Sequence, residues 1–290
     1  MNPNLAAALA ATLWGFTYVV STNLLPDNPL FIGAVRALGG GAALLLIGRQ
    51  LPPAEWWGRI FILGTLNCGL FFGFLFIGVL RLPGGIAATF QTLGPLFTIL
   101  LAALLLQQRP TVIKVLAIVI GVIGVVLIVF KGEVRLDVLG VLAALVSALS
   151  MALGGVLLNK WGRPPALSNI TFTGWQLLVG GGELAIVVLI VADFPTSLSA
   201  TNLLGLAILA FGLTAVPFTL WFRAIAGMGA TAVAPYNLVI PVVAFILGVA
   251  ISHFVPGAVQ LAGVALVIAG LAINQWATWR AARKLATKPT

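Results

Sequence analysis

Two short patterns, 146 residues apart, set the same kinds of side chain in the same order. Phe90-Gln91 is followed by Pro95, and Tyr236-Asn237 by Pro241, each inside an apolar stretch. Within a helix, a proline has no N–H to give and frees the carbonyl four residues earlier. Those carbonyls belong to Gln91 and Asn237, so each stretch pairs a freed acceptor with an amide side chain. A single kink of this kind is commonly satisfied by a neighbouring helix. Its occurrence twice favours a polar binding site bounded by hinges at Pro95 and Pro241.

Arg36 is a cation within an apolar stretch, where charges usually face a cavity or a partner. It can hold a bound carboxylate or pair with a helix carbonyl, and both roles stay open. Gln176 stands in the second half of the chain where Arg36 stands in the first, ahead of Gly180-Gly181 as Arg36 is ahead of Gly40-Gly41. Trp14 and Tyr18 lie one helical turn apart and share a face, and Phe90, Trp175 and Tyr236 also stand away from the stretch ends. These aromatics either pack against lipid and other helices or wall a cavity with apolar surface and a few polar anchors. Glu183 is the one acid well inside a stretch; it pairs with Arg36, meets a ligand ammonium or snorkels outward. His253, the single histidine, stands at a stretch end, where a solvated role is the commoner one.

Hydrolysis or acyl transfer needs a nucleophile, a base and an orienting group within reach. One histidine at a stretch end and a near absence of carboxylates do not supply them. The single cysteine, Cys68, excludes an internal disulfide and a cysteine metal cluster. No G-x-x-x-x-G-K-[ST] run is present, so the sequence implies no nucleotide hydrolysis, and no cofactor or metal.

The elements that must position these residues are membrane helices. Only 7% of the 290 residues are charged, against about 25% in a soluble domain, and 61% are hydrophobic. Mean hydropathy is +1.17. A helix crosses a ~30 Å hydrocarbon core with roughly 20 apolar residues. Ten such spans are expected, at 5–24, 30–48, 60–80, 84–107, 111–130, 138–159, 168–192, 202–222, 229–252 and 257–278. The turns between them carry Pro26, Pro29, Pro52, Pro53, Pro83, Pro110, Pro164, Pro165, Pro195 and Pro256. The first span lacks a basic leader and reads as retained rather than cleaved.

The formal charge of +9 is a topology signal rather than a nucleic-acid footprint. One side would carry Arg49, Arg59, Arg109, Lys114, Lys160, Arg163, Arg223, Arg280, Arg283, Lys284 and Lys288. The other would carry Arg81, Lys131 and Arg135. Basic loops stay inside, so both termini are expected in the cytoplasm. Trp56, Trp57, Trp161, Trp276 and Trp279 read as an interfacial belt.

The halves repeat. Ala87–Phe97 aligns with Val233–Val243, aromatic on aromatic, amide on amide and proline on proline. Five spans per copy turn the second copy upside down, the arrangement by which transporters expose one site to either face. The expected units are repeats at 1–131 and 137–279, followed by a basic tail at 280–290. A duplication without mechanistic role, or a channel, would use similar parts.

Ten spans in two repeats, Trp14-Gly15, Arg36, and a proline in the fourth and ninth spans together resemble the EamA-like branch of the drug/metabolite transporter superfamily. The look is closest to bacterial amino-acid exporters of the YddG type. Relatives of that branch often carry Glu near the ends of the fourth and ninth helices, where this chain has Gln107 and His253. The resemblance implies an inner-membrane secondary carrier. It would export amino acids, above all bulky neutral ones, or similar metabolites; sugars and lipophilic cations are the substrates of other branches. Its partners would be the solute and the bilayer, with no nucleic acid and no obligatory protein partner evident. The candidate solute ligands are Trp14, Tyr18, Arg36, Phe90, Gln91, Trp175, Gln176, Tyr236 and Asn237.

Overall fold

The computed structural model describes residues 1–82, 90–108, 110–129, 137–191, 194–252 and 257–286. His253, Lys131 and Arg135 and the start of the first repeat motif, 87–89, lie outside the described residues, as does the Tyr18 side chain. The described chain is helical throughout. It comprises α1 (Pro3–Leu24), α2 (Pro29–Gly48), α3 (57–81), α4 (Gly94–Leu106) and α5 (Val112–Val129). Then come α6 (Val138–Trp161), α7 (Asn169–Val191), α8 (Ala200–Met228), α9 (230–252) and α10 (Ala258–Ala286). Eight of these are long and apolar enough to cross a membrane; α4 and α5 are apolar but shorter.

Local chemistry sets the ends. The Asn2 side chain accepts from the Asn4 N–H, and the Asp137 carboxylate from that of Gly140, so each caps a helix start. Pro3 and Pro29 open α1 and α2, where no helical N–H is required. Gly229 turns between α8 and α9 at φ 83°, which a side chain would resist, and Ala230 N–H then reaches Asn159 Oδ1 at 3.2 Å.

Polarity runs opposite to that of a soluble protein. Arg36, Asn67, Ser147, Gln176 and Thr214 are buried, whereas Leu46, Ile47, Leu104, Leu189 and Ile190 are exposed. Backbones approach closely where glycines allow it. A Cβ on Gly124 would lie 2.6 Å from Gly263 O, and one on Gly270 2.5 Å from Ala117 O, so α5 and α10 touch almost backbone to backbone. α2 packs on α7 in a similar way.

The contacts map onto themselves when each helix is advanced by five. α2 meets α7 and α5 meets α10; α1 meets α8 and α9 as α6 meets α3 and α4; α2 meets α8 as α7 meets α3.

Neither α3 nor α8 is a plain α-helix, which hydropathy did not foretell. α3 contains a π-helical run at Thr65–Leu70 and α8 one at Ile208–Ala215. Such runs interrupt the regular bonding and often mark functional positions. Here neighbours supply the missing partners: Ser150 and Ser147 hydroxyls donate to Leu66 O and Phe71 O, both at 2.7 Å.

Candidate functional site

A cavity of about 680 Å³ runs between α1, α2, α3, α4, α6, α8 and α9. Its rim is the α1–α2 turn, residues 25–29, with Asp27 exposed, together with Leu82 at the end of α3. Its floor is made by Gly155, Ile225, Ala230 and Ala234. Below the floor, Tyr236 O–H donates to Asn4 Oδ1 at 3.0 Å, tying α9 to the start of α1. A smaller hollow between α3 and α6 is an apolar crease among exposed Leu139 and Leu142 and holds no comparable polar set.

One wall of the cavity is aromatic. Trp14 stands edge-on to Phe218 and tilted to Trp221, both at 5.2 Å between centroids. Phe72 lies 6.1 Å from Phe218 and 4.9 Å from Phe71. Arg36 enters beside them, 6% exposed, with Cζ 4.6 Å from the centre of the Phe72 ring. Its Nε donates to Thr214 Oγ1 at 2.9 Å and its Nη2 to Leu213 O at 3.2 Å, both in the π run of α8. Among the described residues no carboxylate lies within ion-pairing distance of it; the ion pair seen there is Arg81–Asp137 at 3.7 Å, far along α3. Of the two roles the sequence left open, the structure shows the pairing with a helix carbonyl, and Arg36 also lies on the cavity lining.

Of the other candidate residues, Gln91, Asn237 and Pro241 also line the cavity. Gln91 Nε2 donates to Ala144 O at 3.3 Å. The prolines do not kink uninterrupted helices, as the sequence suggested. A turn at 92–93 precedes Pro95, which stands in the first turn of Gly94–Leu106. A 3₁₀ run, Ala234–Leu238, precedes the α-helical run Val239–Ser252 that begins just before Pro241. Proline is tolerated best at such starts, so each helix breaks before its proline instead of bending at it.

Four candidates sit elsewhere. Trp175 is six residues into α7, and its indole N–H donates to Gln50 O at 3.0 Å while the ring stands against Trp57 at 5.0 Å. It belongs with the Trp residues at the helix ends, because amphipathic indoles settle where one edge finds a polar partner. Gln176 is fully buried and receives the Asn67 amide at 3.0 Å, a polar clasp on the π run of α3. Phe90 packs against Leu82 and Ala144. Tyr236 lies below the floor, with its ring in the core and its hydroxyl on Asn4. Glu183 is half-buried and off the cavity lining, forms no ion pair with Arg36, and accepts the Thr65 hydroxyl at 2.5 Å at the start of the α3 π run.

The sequence reading missed Phe71, Phe72, Phe218, Trp221 and Thr17, all on the lining. Trp221 was passed over because the eighth span was expected to stop at 222; α8 continues to Met228, which carries the indole inward. The signal was present in Pro217-Phe218 followed by Trp221-Phe222, aromatics at helical spacing after a proline.

An apolar exterior, a polar interior and an aromatic-walled cavity open at one end are the features of a multi-pass membrane transporter, and the comparisons agree. The chain belongs to the EamA-like transporter family, whose model matches residues 1–130 and again residues 138–275. Protein PecM of Dickeya dadantii is 38% identical over 93% of this chain and 91% of its own length. A probable amino-acid metabolite efflux pump of Salmonella typhimurium is 26% identical over 92% of this chain and 93% of its own. Its Escherichia coli counterpart is 25% identical over 96% and 97%. One solved crystal structure superposes on 96% of this chain and 98% of its own with a TM-score of 0.82 at 19% identity, a likeness of fold alone. The family is one of transporters, not enzymes.

Proposed function

We propose that this transporter is an alternating-access secondary carrier that exports amino acids with bulky, neutral side chains, and similar metabolites, across the bacterial inner membrane. Ten rods, α1 to α10, would span the bilayer as two inverted five-helix repeats, 1–131 and 137–279, with both termini and the basic tail 280–290 in the cytoplasm. The double match of the family model, the helix contacts that repeat at an interval of five and the paired π runs support that arrangement. Relatives named as probable amino-acid metabolite efflux pumps support the solute class and the direction.

The observation that carries the reading is Arg36, a guanidinium without a carboxylate partner among the described residues, set into an aromatic wall of a solute-sized cavity. It offers a charged anchor to a carboxylate and flat apolar surface to a bulky side chain. A floor bound by Tyr236–Asn4 and Ala230–Asn159 suits a carrier better than an open pore. The test is a solute panel with the purified protein in liposomes. Neutral amino acids with large side chains should show saturable flux, accelerated by solute on the opposite face. Arg36→Ala should slow carboxylate-bearing solutes more than their amides. Flux of sugars or quaternary cations alone would overturn the solute class and leave the carrier; non-saturable flux would overturn the carrier.

A further inference from the structure

The charges on the cavity lining do not balance. Arg36 is buried there with its cation over Phe72. The polar groups facing the body of the cavity, among them Thr17, Gln91, Thr98 and Asn237, are neutral. Asp27, the acid on the lining among the described residues, is exposed at the rim in the α1–α2 turn. Glu183 is engaged by Thr65 behind α3 and is not on the lining. Thr17 adds a second unmet demand: its hydroxyl is buried and has no hydrogen-bond partner, one turn along α1 from Trp14.

Arg36 is already 6% exposed, held by a hydroxyl and a carbonyl rather than by water. A charge so enclosed at membrane depth is costly unless a counter-charge joins it, and closure over a ligand leaves the ligand as the nearest source of one. A guanidinium keeps its proton throughout, so the site cannot discharge itself. The ligand must supply the balance. A monoanion closes the site neutral. A zwitterion leaves it at the charge of Arg36 alone, and a cation sets two like charges in one enclosure. Neutral amides and hydroxyls can solvate an ammonium, but they cancel none of its charge.

We propose that the ligand this cavity prefers is an aromatic or similarly bulky monocarboxylate that lacks the α-ammonium group, the amine-free counterpart of the amino acids considered above. This rests on the carrier reading and moves its preferred solute from the amino acids to the similar, amine-free metabolites. Arg36 takes the carboxylate, and Trp14, Phe72, Phe218 and Trp221 take the ring.

Four ligands that share a phenylethyl skeleton test it, phenylpropionate and its amide being isosteric, by titration calorimetry of the full-length protein in lipid nanodiscs near neutral pH: phenylpropionate, phenylalanine, phenylpropanamide and phenethylamine. Phenylpropionate should bind at least about tenfold more tightly than phenylalanine, with phenethylamine weakest. Arg36→Gln should erase the advantage of phenylpropionate over its amide while leaving the amide within about twofold of its wild-type affinity. Asn237→Asp, which keeps Arg36 in place and supplies an acid, should shift preference from phenylpropionate toward phenylalanine. Phenylalanine matching or exceeding phenylpropionate in the wild type would overturn the inference and leave the amino-acid carrier standing. So would an anion preference unchanged in both variants. Binding of none of the four would remove this inference and the bulky amino-acid class together.

Discussion

Arg36 of α2 and Thr214 of α8, 178 residues apart in the chain, are joined by a hydrogen bond of 2.9 Å from Nε to Oγ1. The bond ties a cavity cation to a π run whose irregular backbone needs outside partners. On the other side of the bundle, Gln176 of α7 meets Asn67 in the π run of α3. The two halves thus use one device with different chemistry, charged at the cavity and neutral away from it.

Thr214→Val keeps the shape of the side chain and removes the acceptor, leaving Leu213 O to hold the guanidinium. The expected cost is on the order of 1 kcal/mol of stability, since a buried donor loses one partner of two. Thermal unfolding in detergent should show a lower midpoint for Thr214→Val and a near wild-type one for Thr214→Ser. Equal midpoints in all three proteins would mean that the contact carries no weight.

The amides and prolines of α4 and α9 separate by what they affect. Gln91→Ala and Asn237→Ala each remove a polar group from the lining and should weaken solute binding by about 1 kcal/mol. Pro95→Ala and Pro241→Ala restore an N–H at the helix break, which should leave binding intact and slow turnover. Equilibrium binding and initial efflux on the four variants distinguish the two outcomes. Wild-type values throughout would assign these residues to packing.

Most helices of this bundle were legible because their apolar runs end at a proline or a glycine, although α8 runs to Met228 and α10 to Ala286, beyond their expected ends at 222 and 278. Arg36, Gln91 and Asn237 were legible because a polar group in an apolar run has few reasons to be there. The π runs were not, because hydropathy registers side chains and a π run is a change of backbone bonding with ordinary apolar residues such as Leu66 or Leu209. Trp175 and Trp221 were exchanged for a related reason. Trp175 lies seven residues and Trp221 one residue from an expected span end, and sequence alone could not say that Gln50 O awaited one while Trp14 awaited the other.

Orientation is tested by single cysteines in a Cys68→Ala background, Cys68 itself being fully buried. Ala54, in the turn that leads into α3, and Ser199, the N-cap of α8, are both exposed and are suitable positions. An impermeant thiol reagent added to intact cells should label Ser199→Cys and spare Ala54→Cys. The reverse pattern, or labelling of both, would remove the cytoplasmic placement of the termini.

Close packing of α5 on α10 predicts a steep response to a single methyl group. Gly270→Ala would set its Cβ 2.5 Å from Ala117 O and 2.9 Å from Gly121 N, both backbone atoms that cannot swing aside. Overpacking of this kind costs typically about 1–3 kcal/mol. Gly182→Ala, with nothing within 4 Å of the new atom, is the control. Folded yield and unfolding midpoint should fall for the first and hold for the second.

The π runs at Thr65–Leu70 and Ile208–Ala215 also bear on how chains of this kind change length in evolution. In a plain membrane helix, losing one residue swings everything beyond it by about 100° and turns its buried face outward. A π run already holds backbone in excess of the α pattern, so it can shed a residue and relax to a tighter helix without reversing the faces on either side. Single-residue gaps among relatives should therefore gather in these two runs and be scarce elsewhere in the helical cores. Chains that carry such a gap should have lost the side chains that serve it as well: Ser147 and Ser150 for the first run, and the Arg36–Thr214 pair for the second.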